Sequence, residues 1–227
     1  MDARSTPLRR AAAGSLLIAI PLLIAGCSLV IGGIRTFMGD PMLDSSFKRK
    51  TNVDLAGEGK TVVVLCSVPN AISSHYPSVS RDVLSGVTRN LKRETIKVVD
   101  DNRVLDWIDT HGFPEGREDI ARADFTEKAD YVIHVELQEF THRADKSPDM
   151  FQGRVVGMVH AYKIIDVDDR RDAAEVFTSE IRLVHPKYNP ISASQMKGEA
   201  FQRKFVKRLT TRLAEMFYDH RAAMEVR

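Results

Sequence analysis

Apolar positions change their period along this chain, and each period predicts an element. The run TVVVLCSV, residues 61 to 68, is continuous and β-branched, which predicts a central strand covered on both faces. From Ser78 onward Val79, Val83, Val87 and Leu91 recur every fourth residue, with Leu84 widening the stripe, so an amphipathic helix follows, capped by Ser78 or Ser80. IKVV at 96 to 99 reads as a short second strand. Asp100, Asp101 or Asn102 then opens a helix through Val104, Leu105, Trp107 and Ile108 that ends near His111-Gly112, and a further turn or two spans Arg117 to Phe125. In ADYVIHVELQEF (129 to 140) the pattern alternates: Tyr131, Ile133, Val135 and Leu137 point to the core, and His134, Glu136 and Gln138 to a wetter face.

RVVGMVHAYKIIDV and AEVFTSEIRLV follow as strands four and five, joined by the charged turn DDRRDA as an antiparallel hairpin. Gly153 and Gly157 in strand four mark a bulge or a close backbone approach. The chain closes with GEAFQRKFVKRLTTRLAEMFYDH, where Phe201, Phe205, Leu209, Leu213 and Phe217 stand at four-residue steps beside Met216, the strongest helical signal in the sequence. The order β-α-β-α-β-β-β-α predicts an α/β (α+β) fold: one mixed five-stranded sheet with helices mainly on one face. Its first crossover is right-handed if strands one and two are parallel neighbours. The domain is expected over 60 to 222. Residues 35 to 59 have no clear period and read as the end of a tether over 27 to 59.

Ahead of the tether, Arg4, Arg9 and Arg10 precede the uncharged run AAAGSLLIAIPLLIAG at 11 to 26, a basic region and an apolar region ending in small residues, as in an export signal. Cys27 comes next. Ile24-Ala25-Gly26-Cys27 resembles the lipobox of bacterial lipoproteins, which implies a signal peptide over 1 to 26, cleavage before Cys27, a diacylglycerol thioether on its sulfur and a third acyl chain on the new amine. One acyl chain holds a protein only marginally and reversibly, whereas several anchor it stably. A competing reading rests on SLVIGGI after the cysteine, because the 24 residues from Ala11 to Ile34 carry no charge and, at about 1.5 Å each, would cross a hydrocarbon core of about 30 Å as an uncleaved signal anchor. Both readings put the domain outside the cytoplasmic membrane. Ser28 after the cysteine favours the outer membrane over the inner one, by resemblance to other bacterial lipoproteins.

Charge adds an exclusion. The formal +2 of the whole chain (33 Lys and Arg, 31 Asp and Glu) becomes a balance of 30 against 30 once residues 1 to 26 are removed, with no basic excess for nucleic acid. Of the two cysteines, Cys66 sits inside the apolar first strand and reads as a small buried hydrophobe. No disulfide framework is expected.

TFMGDP, KTVVVLCSVPNAI, GVTRNLKR, KVVDDNRVLDWID, ADYVIHVELQEF and FYDHR are together similar to a family of bacterial envelope lipoproteins of planctomycete-type genomes, over nearly the whole mature chain. That family has no known activity to lend. At fold level the order of elements also resembles the curli-secretion lipoprotein and the N-terminal domain of the Tol-system periplasmic protein, which implies binding or assembly roles in the envelope.

Candidate chemistry is sparse. Ser73, Ser74 and His75, with Asn70 and Tyr76, lie in the loop after strand one, where open sheets bind ligands, and Asp100 and Asp101 follow strand two. A hydrolase can be imagined from these groups, but no G-x-S-x-G elbow is present. His134, Glu136 and His160 would make a metal site if the register brought them together, although none of the strong metal spacings occurs. On the last helix Arg203, Lys204, Lys207, Arg208 and Arg212 lie opposite the phenylalanines, a face suited to anionic headgroups or a partner protein. Two proline-marked loops, 143 to 150 and 185 to 194, are long enough to meet a partner. The expectation is a non-enzymatic, lipid-anchored accessory or scaffold of envelope assembly or transport, held by acylated Cys27 and bound to an envelope protein. No cofactor and no nucleic acid are expected. A hydrolase using the loop after strand one is the alternative.

Overall fold

The computed structural model describes residues 42–145, 147–167 and 170–221. Asp44–His220 form one compact unit, and Met42, Leu43 and Arg221 belong to another, of which Met42–Leu43 is a two-residue strand. Strand β1, Thr61–Ser67, is buried through its five central residues, so it is covered on both faces as its unbroken apolar run requires. Both neighbours are parallel to it: β2, Lys97–Val98, with Val62 opposite Val98, and β3, Tyr131–Ala144, with Val62 opposite Tyr131. Strand β4, Ser147–Val167, runs antiparallel to β3, and β5, Arg170–His185, antiparallel to β4. The sheet order is β2-β1-β3-β4-β5, and a sixth short strand, β6 (Ile191–Ser192), pairs with Met150 and Phe151 of β4. The fold is therefore α+β with a mixed sheet. Its sixth strand comes from a stretch without alternation.

Six helices among the described residues dress this sheet. They are α1 (Ser46–Thr51), α2 (Asn70–Ser73), α3 (Val79–Arg93), α4 (Asp101–His111), α5 (Arg117–Arg122) and α6 (Gly198–Ala214). The two longest, α3 and α6, pack together where Gly86 leaves room for the side chain of Thr210, and Asn90 donates to the Thr210 hydroxyl at 3.4 Å. On the same sheet face α1 sets the ring of Phe47 edge-on to Tyr131 at 5.5 Å and to Phe177 at 5.8 Å. The stretch from α4 to the 3-10 turn Asp124–Thr126 covers part of the opposite face, with Phe113 5.3 Å from the His134 ring. This division follows from topology. The chain steps from β1 to β2 in one direction and from β2 to β3 in the other, and right-handed crossovers then place α3 and α4 on opposite faces.

Two boundaries differ from the sequence reading. Residues 44 to 59 are part of the folded unit rather than tether: Phe47 and Leu55 are fully buried, Ser45 caps α1 by accepting from the Lys48 amide, and Asn52 ends it in the left-handed region at φ 58°. A six-residue helix with one apolar anchor is too short to show a period. The last helix stops at Ala214 and not near His220, because the next residues are committed to α1. The Phe47 amide donates to Met216 O at 2.9 Å, while Asp219 accepts from the Ser45 amide at 3.0 Å and from Lys48 Nζ at 2.5 Å. Phe217 is still buried, as its spacing required.

Both glycines of β4 do what their positions suggested. Leu137 faces Gly157 and Glu139 faces Val156, so Gln138 is the extra residue of a bulge, and a Cβ on Gly157 would collide with the carbonyl of Glu136. The bulge re-phases β3 and turns Phe140 back into the core. A Cβ on Gly153 would enter the ring of Phe205. Cys66 is buried, and burial pushes its thiol up to about 12, so it packs as an inert side chain.

Candidate functional site

The loop after β1 holds the first candidate set, and its polar groups are turned inward on the loop itself. Ser73 and Ser74 both donate their hydroxyls to Asn70 O, at 3.2 and 2.6 Å, and His75 Nδ1 bonds Ala71 O at 3.0 Å. Residues so placed close the single turn of α2 and expose the three side chains to solvent or half so. Asp100 caps α4 by accepting from the Asn102 amide at 2.9 Å. Among the described residues no serine of this loop is bonded to His75 and no aspartate to its ring, so these side chains do not assemble the geometry of a nucleophile, base and orienting acid.

What the loop does build is a cleft of about 330 Å³ against the overhanging part of the β3–β4 hairpin, lined by His75, Tyr76, Glu139, Phe140, Thr141 and Arg154 among others. The Tyr76 ring packs edge-on against Phe140 at 5.0 Å and His142 at 5.3 Å. His142 Nδ1 is buried with no hydrogen-bond partner, and burial, helped by the neighbouring Arg143, pushes its pKa down. The sequence singled out neither His142 nor Arg154, since nothing in the alternation of β3 distinguishes them before the bulge re-phases it. The two proline-marked loops also meet. Most of residues 143 to 150 belong to the hairpin strands, and Met150-Phe151 pairs with Ile191-Ser192 from the second loop.

The second set is brought together in part. His134 and His160 are cross-strand partners with ring centroids 6.2 Å apart, and Glu136 lies two residues on along the same face. Each ring is already engaged: Ser67 Oγ and His134 Nε2 are 2.8 Å apart, and His160 Nδ1 lies 2.6 Å from Glu175 Oε1. Burial, with a smaller push from His160, lowers the pKa of His134 to about 4, so it is neutral at pH 7. Among the described residues no three His, Cys, Asp or Glu side chains are placed to hold an ion. The arrangement is a hydrogen-bonded polar strip within the sheet.

The third set lies on α6. Arg203, Lys204, Lys207 and Arg208 are exposed, while Arg212 is half-buried and paired with Glu215 at 3.2 Å. Arg203 reaches Glu199 at 3.8 Å; Lys204, Lys207 and Arg208 make no ion pair among the described residues. Burial and the nearby Arg208 both lower the pKa of His185 at the end of β5. Cys27, the lipidation candidate, lies outside the described residues, as does the apolar run before it. Among the described residues no helix is long and apolar enough to cross a membrane.

No protein-family model matches the sequence, and no curated protein matches it either. Solved structures do align with it at low identity. The PelC dodecamer from Paraburkholderia phytofirmans aligns at 13% identity with a TM-score of 0.36, over 77% of this chain and 95% of that one. A lipoprotein from Neisseria meningitidis aligns at 13% identity and 0.37, over 66% of this chain and 97% of that one, and a minor lipoprotein from Acinetobacter baumannii at 10% and 0.26, over 69% and 91%. Likeness of this degree does not carry a role from those proteins to this one.

Proposed function

We propose that this chain is a lipid-anchored protein of the bacterial envelope, cleaved before Cys27, whose α+β domain is a non-enzymatic accessory or scaffold of envelope assembly or transport. One observation carries the reading: three arginines, an uncharged run and Ile24-Ala25-Gly26-Cys27 stand in the order of a lipoprotein signal. The motifs between residues 36 and 221 favour the planctomycete-type envelope family, and Ser28 favours the outer membrane. The domain is bound to an envelope partner. Support for a role without chemistry comes from the loop after β1, where Ser73, Ser74 and His75 spend their hydrogen bonds on backbone carbonyls.

Labelling with radioactive palmitate tests the anchor. Parent protein takes up label and Cys27→Ser does not; equal labelling, or none in either, ends the lipoprotein reading. An intact mass that includes Met1 would instead establish the uncleaved signal anchor that the uncharged residues 11 to 34 allow. Changing Ser73, Ser74 and His75 together to alanine tests the domain. The cellular role should persist, and its loss with partner capture unchanged would favour a hydrolase.

A further inference from the structure

The helices on the two faces of the sheet differ sharply in charge. Helix α6 carries five basic residues against Glu199, α3 carries Arg81, Arg89, Lys92 and Arg93 against Asp82, and α1 adds Lys48, Arg49 and Lys50 with no acid. Within these three helices that is twelve basic residues against two acidic ones, with Lys48 paired to Asp44, Asp54 and Asp219, Arg212 to Glu215 and Arg81 to Asp109. Across the sheet, residues 100 to 130, from which α4 and α5 are built, hold ten acidic residues against four basic. A mature chain that is neutral overall is therefore polarised through its sheet.

Six of the basic residues also point one way. Each helix buries its stripe toward the sheet, Val83, Val87 and Leu91 in α3 and Phe201, Phe205 and Leu209 in α6, so the opposite sides of both look out from the same face. Arg89, Lys92, Arg203, Lys204, Lys207 and Arg208 are all exposed there. Of these only Arg203 has an acidic partner among the described residues.

We infer that the α1–α3–α6 face docks onto a bilayer surface containing anionic phospholipid, laying the domain flat with its acidic side turned away from the membrane. The inference rests on the lipid anchor proposed above. Two features select a bilayer as the occupant. One is complementarity: a broad face of separated lysines and arginines suits many mobile phosphates, each cation near such a surface contributing to binding. The other is where the chain arrives. Residue 44 enters the folded unit at α1, which shares this face, and the 17 residues from Cys27 to Leu43 reach at most about 60 Å. An anchor at Cys27 thus holds the basic face at high effective concentration beside the headgroups.

The test uses full-length lipidated protein in vesicles of phosphatidylcholine with or without phosphatidylglycerol. A spin label is placed at Ser85→Cys on α3 or, as control, at Thr110→Cys on α4; buried Cys66 and acylated Cys27 do not compete for it. The Ser85 label should be shielded from an aqueous quencher only with phosphatidylglycerol and at low salt, and the Thr110 label in neither vesicle. Each cation removed should lower the ratio of docked to undocked label about fivefold, and the quadruple variant Arg89→Glu, Lys204→Glu, Lys207→Glu, Arg208→Glu should abolish shielding with an unchanged circular dichroism spectrum. Equal shielding in both vesicles would mean that the face meets protein, a second copy included, and would overturn the inference, as would shielding at Thr110. No shielding while the chain stays on the vesicles would also overturn it. Release of the chain from the vesicles would count against the anchor instead; flotation of the released chain with phosphatidylglycerol vesicles, lost in the quadruple variant, then decides the basic face by itself.

Discussion

On one side of β3 and β4 an almost unbroken series of rings runs from Phe47 through Tyr131, Phe177 and Phe217, and again from Phe140 through Phe205, Phe201 and Phe151, with neighbouring centroids 5.5 to 6.4 Å apart. On the other side β3 and β4 place His134 and His160, each joined to a group on the next strand, Ser67 of β1 and Glu175 of β5, and only partly covered. The two faces share a backbone and differ in what holds them. The ring face depends on area removed from water and on close fit, which no pH change touches. The polar face depends on each group keeping its partner, and on the His134 imidazole staying neutral.

That contrast can be broken at measurable sizes. The largest effect belongs to the ring face: Phe205→Ala, which empties a fully buried site between Phe140 and Phe201, should cost about 3–5 kcal/mol in urea unfolding. A loss under about 1 kcal/mol would mean that the face is not tightly packed. Next comes acid sensitivity of the polar face. The pKa of His134 is about 4 in the folded protein and near 6.5 in the unfolded chain, so the unfolded state takes up the proton first as pH falls. Its contribution is intact above pH 6.5 and drains away toward pH 4, by at most about 3 kcal/mol. His134→Gln should remove that part of the slope, read as the difference between parent and variant unfolding at pH 7 and pH 4.5. Phe205→Ala should leave the slope as it is.

Smaller effects sharpen the comparison. Gly157→Ala pushes a methyl group into the Glu136 carbonyl at the bulge and should cost about 1–3 kcal/mol, with loss of hydrogen-exchange protection centred on Leu137 to Phe140. Ser67→Ala takes from His134 its partner at 2.8 Å and should cost about 1 kcal/mol. Coupled to a nonpolar replacement of His134, the same change should cost less than the sum of the two, because the pair then disappears together.

Much of the scaffold was legible because its elements are long and periodic. The stripe of α3, the unbroken run of β1, the alternation of β3 as far as Leu137 and the final helix as far as Ala214 appear where their spacing put them, and Gly153 and Gly157 disclosed the close approaches they permit. What escaped was short or non-local. Helix α1 shows one buried phenylalanine, and β6 two residues that owe their strand geometry to Phe151, forty positions away in the chain. The candidate chemistry was the least legible, since hydrogen-bond partners decide it. Ser73 and His75 are neighbours in sequence and yet each turns to a different carbonyl. The register that joined His134 to His160 could be stated beforehand only as a condition.

The seam between α1 and the residues after α6 has a mechanical consequence. There the Phe47 amide donates to Met216 O, and the Ser45 amide and the Lys48 ammonium both donate to the Asp219 carboxylate, so the start of the folded unit is bonded to the residues after its last helix. Phe47, packed among the rings of Tyr131, Phe177 and Phe217, stands at the same seam. The two ends of the folded unit are thus fastened to each other, and neither can peel away without breaking the bonds that hold the other.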